Sequence, residues 1–206
     1  MNTRHFCIGI VDDDDSVRMS ISRLLRAAGW HVEAFASMNE VIHDERAERI
    51  DCLVTDMRMP DGDGLELQEW MLQDKPHVPV IFLSAYADVA TSVQAMKRGA
   101  ADFLLKPVDD GALLDSIRQA ICRQAIDVMK EREHEQIKAR HASLTMREQE
   151  VMQHVIEGRL NKQIAADLGI SLKTVKVHRA RALEKMGVHS VAKLVHACMK
   201  AGITET

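Results

Sequence analysis

The chain has 206 residues, 46% of them hydrophobic and 28% charged, which is enough apolar content for two modest cores. No apolar run is long enough to span a bilayer, so no membrane role is expected, and the opening MNTRHFCIGIVDDDD turns acidic too early for a signal peptide. The net charge of −4 conceals a division: residues 1–122 hold 12 Lys and Arg against 21 Asp and Glu, whereas residues 123–206 hold 15 against 10.

That division suggests a metal-binding or regulatory module tethered to a nucleic-acid binder. In chain order, the apolar run 6–11 reads as a buried strand, and 17–28 has helical periodicity stopped by Gly29. A second strand spans 31–35, with Ser37 as cap of the next helix. A third strand, 52–55, leads into a turn rich in Pro60, Gly62 and Gly64, then an amphipathic helix over 65–72. A fourth strand at 80–84, a helix at 89–98 closed by Gly99, and a fifth strand at 102–105 complete the series. Five such βα repeats require right-handed crossovers and a doubly wound parallel sheet covered on both faces.

From Asp110 a helical pattern continues through Leu113, Ile117 and Ile121, and then loses its apolar stripe in KEREHEQIKARHAS while keeping strong helix formers. An exposed linker helix over 123–141 is expected, since Gly and Pro are absent between Ala112 and Gly158. Beyond it the pattern is all helical: 146–157, 161–168, 171–186 and 190–201, each followed by a glycine that provides a left-handed stop. The expected domains are 4–122, the linker 123–141, and an all-α four-helix domain over 142–206. Cys7, Cys52, Cys122 and Cys198 show no CxxC spacing, the first two falling in buried strands, and the ten histidines are scattered. A reduced, cytoplasmic setting without zinc is the simplest account.

Chemistry concentrates where apolar strands end. Asp12 and Asp13 follow the first strand, Asp56 ends the third, Ser84 closes the fourth, and Lys106-Pro107 follows the fifth. Strand C-termini of an open α/β sheet converge on one edge, so these groups meet there. Carboxylates in that number suit Mg²⁺, which takes oxygen ligands and retains water. A carboxylate beside such a cation is a competent nucleophile toward phosphorus, and Lys106 adds a point charge for phosphoryl oxygens. Pro107 implies a constrained turn, of which a cis bond is one form, that aims the lysine. Taken singly, an acidic doublet is often only a solvated helix start, the role expected of Asp14 and Asp15.

VDDDDSV, TDMRMPDGDG, FLSAYAD and AMKRGAADFLLKP resemble the receiver domain of bacterial two-component response regulators over about residues 4–122. The resemblance implies a flavodoxin-like fold in which Asp56 is the phosphoacceptor. It further implies that Asp13, Asp56 and the Arg58 backbone carbonyl ligate Mg²⁺, with Asp12 acting through water, and that Ser84 and Phe103 form a switch pair. Where relatives commonly carry Gly-His-Gly after the switch serine, this chain has Ala85-Tyr86-Ala87. Tyr86 and Arg58 then stand where side chains control water access to an acyl phosphate.

In LNKQIAADLGISLKTVKVHRARALEKMG, helices of eight and sixteen residues flank a tight turn at Gly169. The second helix, capped by Ser171, has an apolar stripe of Val175, Ala182, Leu183 and Met186, with Lys173, Thr174, Val177, Ala180 and Arg181 broadly opposite. Such a helix-turn-helix places its second helix in the DNA major groove, with flanking Lys and Arg on phosphates. The stretch from Leu144 to Gly187 resembles the LuxR-type DNA-binding domain, and the whole chain is similar to the NarL/FixJ class. The resemblance implies DNA contacts from Lys173, Thr174, Lys176, Val177, Arg179, Arg181 and Lys185. Glu148 and Lys162 match positions expected to be structural. The implied partners are a sensor histidine kinase, double-stranded promoter DNA, RNA polymerase and, on activation, a second copy of the chain.

Two other readings compete. A Mg²⁺-dependent phosphohydrolase with Asp56 as nucleophile calls for an acid/base carboxylate two residues on, where Arg58 stands. A DNA-binding protein whose acidic half only dimerises has no use for Asp13, Ser84 and Lys106.

Overall fold

The computed structural model describes residues 6–85 and 89–203, so Tyr86 lies outside the described residues. Two compact units divide between Asp127 and Val128.

In the first unit, β1 (Cys7–Val11), β2 (His31–Phe35), β3 (Cys52–Asp56), β6 (Val80–Ser84) and β7 (Asp102–Leu105) form one parallel sheet in the order β2-β1-β3-β6-β7. Between β3 and β6, the two-residue strands β4 (Arg58–Met59) and β5 (Gly62–Asp63) make an antiparallel ribbon that leads into α3 (Gly64–Asp74). Side chains alternate across the pleat, and this sorts the core into two layers. Leu53, Phe82 and Phe35 pack with α2 (Met38–His43), α3 and Ala95 of α4 (Val89–Lys97). Ile8, Ile10, Cys52, Val54, Ile81 and Leu83 pack on the other face with α1 (Asp15–Ala27) and with Leu113, Ile117 and Ile121 of α5 (Asp110–Ala142). The doubly wound sheet thus appears as its pattern predicts. Helix α1 begins two residues earlier than its periodicity suggests, because the Asp14 carboxylate accepts from the Ser16 and Val17 N–H groups and caps it. Ser37 caps α2 as expected, and a short 3₁₀ turn (Glu45–Arg49) that the pattern does not reveal follows it.

The second unit holds the end of α5 with α6 (Met146–Ile156), α7 (Asn161–Leu168), α8 (Leu172–Lys185) and α9 (Val191–Lys200). Val151, Val155, Ile164, Val175, Ala182, Leu194 and Cys198 form its core. Helices α7 and α8 are joined through Gly169 at φ 64°, a conformation open to glycine without a Cβ penalty, and Ser171 then caps α8. The expected linker is not uniformly exposed: Ile137 is buried with Leu144 in this second core, so the last turns of α5 belong to the helical unit.

Glu148 is buried, 3% exposed, and closes a capping box in which its carboxylate accepts from the Thr145 N–H at 2.9 Å while its own N–H donates to Thr145 Oγ1. Lys185 Nζ, from the last turn of α8, lies 2.6 Å from the same carboxylate. Lys185 foremost, and then the Thr145 amide, hold the Glu148 pKa at about 2, below its ordinary 4.5. A depressed carboxylate stabilises the folded chain above the unfolded value and loses that contribution as pH falls through the folded one. Glu148→Gln is therefore expected to lower the urea midpoint of the full chain near neutrality, followed by helical circular dichroism. The gap from wild type narrows as pH falls from about 4.5 toward 2; a gap that stays constant contradicts the assignment.

Candidate phosphoryl and metal site, and candidate nucleic-acid interface

The sheet order puts β1 and β3 side by side at its centre, and their C-terminal ends open into the crevice where open α/β sheets bind ligands. Asp12 leaves β1 directly after Val11, which is in register with Thr55, and Asp56 is the last residue of β3. Carboxylate oxygens of Asp12, Asp13 and Asp56 lie within 4.8 Å of one another. Asp12 is 1% exposed, Asp13 is exposed, and Asp56 is half-buried. Lys106 reaches in from the end of β7, donating to Asp12 Oδ2 at 2.7 Å and to Asp56 Oδ2 at 2.8 Å. The Lys106–Pro107 bond is cis.

Burial pushes the Asp12 carboxyl above its ordinary pKa, against the pull of Lys106 and of the Asp14 N–H, which donates at 2.9 Å. Burial also opposes the charge on Lys106. Its hydrogen bonds to Asp12 and Asp56 outweigh that and raise its pKa, so it stays an ammonium. Ser84, buried at the end of β6, completes the edge, and its carbonyl accepts from the Lys106 N–H at 2.8 Å. Phe103, half-buried, pairs in register with Phe82, their ring centroids 6.3 Å apart.

In the second unit, α8 exposes Lys173, Lys176, Val177 (41%), Ala180 and Arg181 and half-buries Thr174, with Val175 and Ala182 turned into the core. Two of its predicted DNA contacts are engaged within the unit: Arg179 donates to Asn161 Oδ1 at 2.8 Å, and Lys185 holds Glu148. Lys162 and Lys176 line a groove of about 520 Å³ with Arg159, Leu160 and Leu172.

Residues 8–118 match the response regulator receiver domain, and residues 142–198 match the bacterial regulatory proteins of the luxR family. The response regulator protein TmoT of Ectopseudomonas mendocina is 39% identical over 95% of this chain and 89% of its own length. The transcriptional regulatory protein FixJ of Azorhizobium caulinodans is 38% identical over 95% and 93%. The chain is a two-component response regulator of the NarL/FixJ class. The structure of the response regulator StyR superposes with a TM-score of 0.82 at 43% identity, covering 95% of this chain and 99% of that one. Such regulators are DNA-binding transcription factors activated by phosphorylation, and their receivers bind Mg²⁺ at an acidic pocket.

The donor set of this response regulator fits such an ion: hard carboxylate oxygens, one deeply buried and one open to solvent, within reach of one centre. Some supports escape the sequence pattern. Arg18, one turn into α1, donates from Nη1 to the Asp12 carbonyl at 2.5 Å. Its only sequence signal is an arginine six residues after Asp12. Gly64 lies against the end of β3, where a Cβ would come 2.7 Å from the Asp56 carbonyl oxygen and 3.0 Å from Phe82. Gly64 N–H also donates to the Met57 carbonyl at 2.9 Å, so neither backbone has room to retreat. Gly64→Ala is expected to cost about 1–3 kcal/mol of stability through this overlap and to slow phosphorylation by displacing Asp56. A urea titration together with the rate of labelling by a small phosphodonor checks both effects; wild-type values for both would show that the backbone yields freely.

Proposed function

We propose that this protein works in the cytoplasm, that its Asp56 accepts a phosphoryl group from the phosphohistidine of a sensor kinase, and that the resulting change in the receiver favours a dimer that binds promoter DNA. The observation that carries this reading is the meeting of Asp56 with Asp12, Asp13 and the Lys106 ammonium at one sheet edge. An Asp56 carboxylate oxygen attacks phosphorus as the phosphorus–nitrogen bond of the donor breaks, and the leaving imidazole takes up a proton. Asp12, Asp13 and Asp56, with the Arg58 carbonyl, would hold Mg²⁺. Once bound, that ion offsets charge on the transferring oxygens.

Lys106 is close enough to Asp56 to pass from the carboxylate to the new phosphoryl oxygens. Ser84, at the adjoining strand end, supplies a hydroxyl to the same oxygens. Movement of that hydroxyl frees space into which Phe103 turns, altering the surface of β7 and α4. The dimer presents two recognition helices to two half-sites, so each contact gains avidity from the other. Lys173, Lys176 and Arg181 face phosphates, Thr174 and Val177 face base edges, and Arg179 and Lys185 act by bracing α8. RNA polymerase is the downstream partner.

Mass spectrometry after treatment with acetyl phosphate and Mg²⁺ should show an adduct of about 80 Da on Asp56, the mass of one phosphoryl group, and none in Asp56→Asn. An adduct on another side chain, or steady hydrolysis of a phosphate ester, defeats the proposal. For the DNA face, Lys176→Ala is expected to lower affinity for selected duplexes uniformly and to reduce the slope of log K against log salt by about 1, as for one lost phosphate contact. An unchanged slope removes Lys176 from the interface.

A further inference from the structure

Asp12 uses all its polar atoms. Its N–H donates to the Phe35 carbonyl at 3.3 Å, Oδ1 accepts from the Asp14 N–H at 2.9 Å, and Oδ2 accepts from Lys106 at 2.7 Å. Its carbonyl is the remaining group. It lies where the chain has left β1 and no strand neighbour offers an N–H, and a buried carbonyl left without a donor is costly. Arg18 fills that need: Nη1 donates to the carbonyl at 2.5 Å, while Nη2 pairs with the Asp15 carboxylate. For so long a side chain Arg18 is well covered, at 17% exposure.

The oxygen held by Arg18 belongs to the peptide unit joining Asp12 to Asp13. Rotation of that plane swings Asp13 relative to the buried Asp12 and to Asp56. We infer that Arg18 is a positioning residue for the divalent-cation site: its guanidinium fork locks the Asp12–Asp13 peptide and thereby aims the Asp13 carboxylate at the centre shared with Asp12 and Asp56. The inference rests on the reading of that cluster as a Mg²⁺ site.

Charge and geometry predict opposite signs for removing the side chain. A guanidinium near three carboxylates repels an incoming cation, so as a mere charge its loss tightens Mg²⁺ binding. As a positioning group its loss weakens binding, because the carboxylates are no longer held where the ion needs them. Lysine keeps the charge but substitutes only in part, since its shorter stem and single point donor hold the Asp12 carbonyl less firmly than a planar guanidinium does.

The test is calorimetric titration of the full chain with Mg²⁺ alone at neutral pH, for wild type, Arg18→Gln, Arg18→Lys and Asp15→Asn, each checked by its thermal midpoint. Arg18→Gln is expected to weaken Mg²⁺ binding about tenfold or more, the usual effect of deleting a partner of a metal ligand. Arg18→Lys is expected to fall between it and wild type, and Asp15→Asn to stay within about twofold of wild type, because the bond to the Asp12 carbonyl survives. Unchanged or tighter binding by Arg18→Gln overturns the inference, as does Asp15→Asn weakening as much, which would assign the effect to the helix ion pair. If Arg18→Gln does not fold, Arg18→Lys decides alone, and wild-type affinity there overturns the inference. Absence of Mg²⁺ binding by wild type removes the underlying reading of the cluster, a failure distinct from the others.

Discussion

One ammonium joins three strand ends. Lys106, from the end of β7, donates to Asp12 beyond β1 and to Asp56 at the end of β3, and without a cation there the acidic edge opposes its own assembly. Two carboxylates ~5 Å apart repel by about 3 kcal/mol at an effective dielectric near 20, and this edge holds three within 4.8 Å. The crevice side of the parallel sheet therefore depends on positive charge brought from a distant part of the sequence. Carboxylates gathered at that cost are suited to a ligand that brings further positive charge, which is the physical reason such an edge reads as a cation and phosphoryl site.

The surrounding packing converts this edge into a position-sensitive one. Ser84 ends the strand that lies between β3 and β7, and Phe82, two residues earlier on that strand, meets both Phe103 and the α3 start at Gly64. Because strand residues two apart share a face, a change in the Ser84 hydroxyl and a change in the aromatic pair bear on the same layer. Close-packed layers repack between discrete arrangements rather than deforming smoothly, so this layer is the route by which the proposed switch at Ser84 would reach Phe103.

Most of this architecture was legible in the sequence because its signals are local. Five apolar runs marked the five strands of the main sheet, and glycines at 29, 99, 158, 169, 187 and 202, placed as helix stops, all have positive φ. Asp12, Asp13, Asp56 and Lys106 stood out because each adjoins the end of an apolar run, so a topological rule sufficed to bring them together. What escaped depends on contacts between residues that no period links. Arg18 on the Asp12 carbonyl carries no pattern of its own, and Gly64, legible only as a turn glycine, gave no sign of its close approach to Asp56. Lys185 looked like one more basic residue on a DNA-facing helix, and its partner Glu148 lies on another helix. Ile137 was hidden because a single apolar residue in a charged stretch gives no stripe, although it buries its side chain in the second core from the last turns of α5.

The division of charge constrains how phosphorylation can raise DNA affinity. Residues 1–122 already carry nine more acidic than basic groups, and residues 123–206 five more basic than acidic. Converting the Asp56 carboxylate into an acyl phosphate adds about one further negative charge, so the long-range field of the whole chain becomes less favourable to DNA. Activation by electrostatics alone has the wrong sign. The proposed association of two copies supplies such a gain, since avidity across two half-sites is worth about 10²–10⁴ without any new contact to DNA. That gain exceeds the loss of roughly one unit charge screened over a Debye length of about 8 Å. On that proposal the acidic front half is compatible with a DNA-binding role because it acts through association, with the exposed cations of α8 left to make the contact itself.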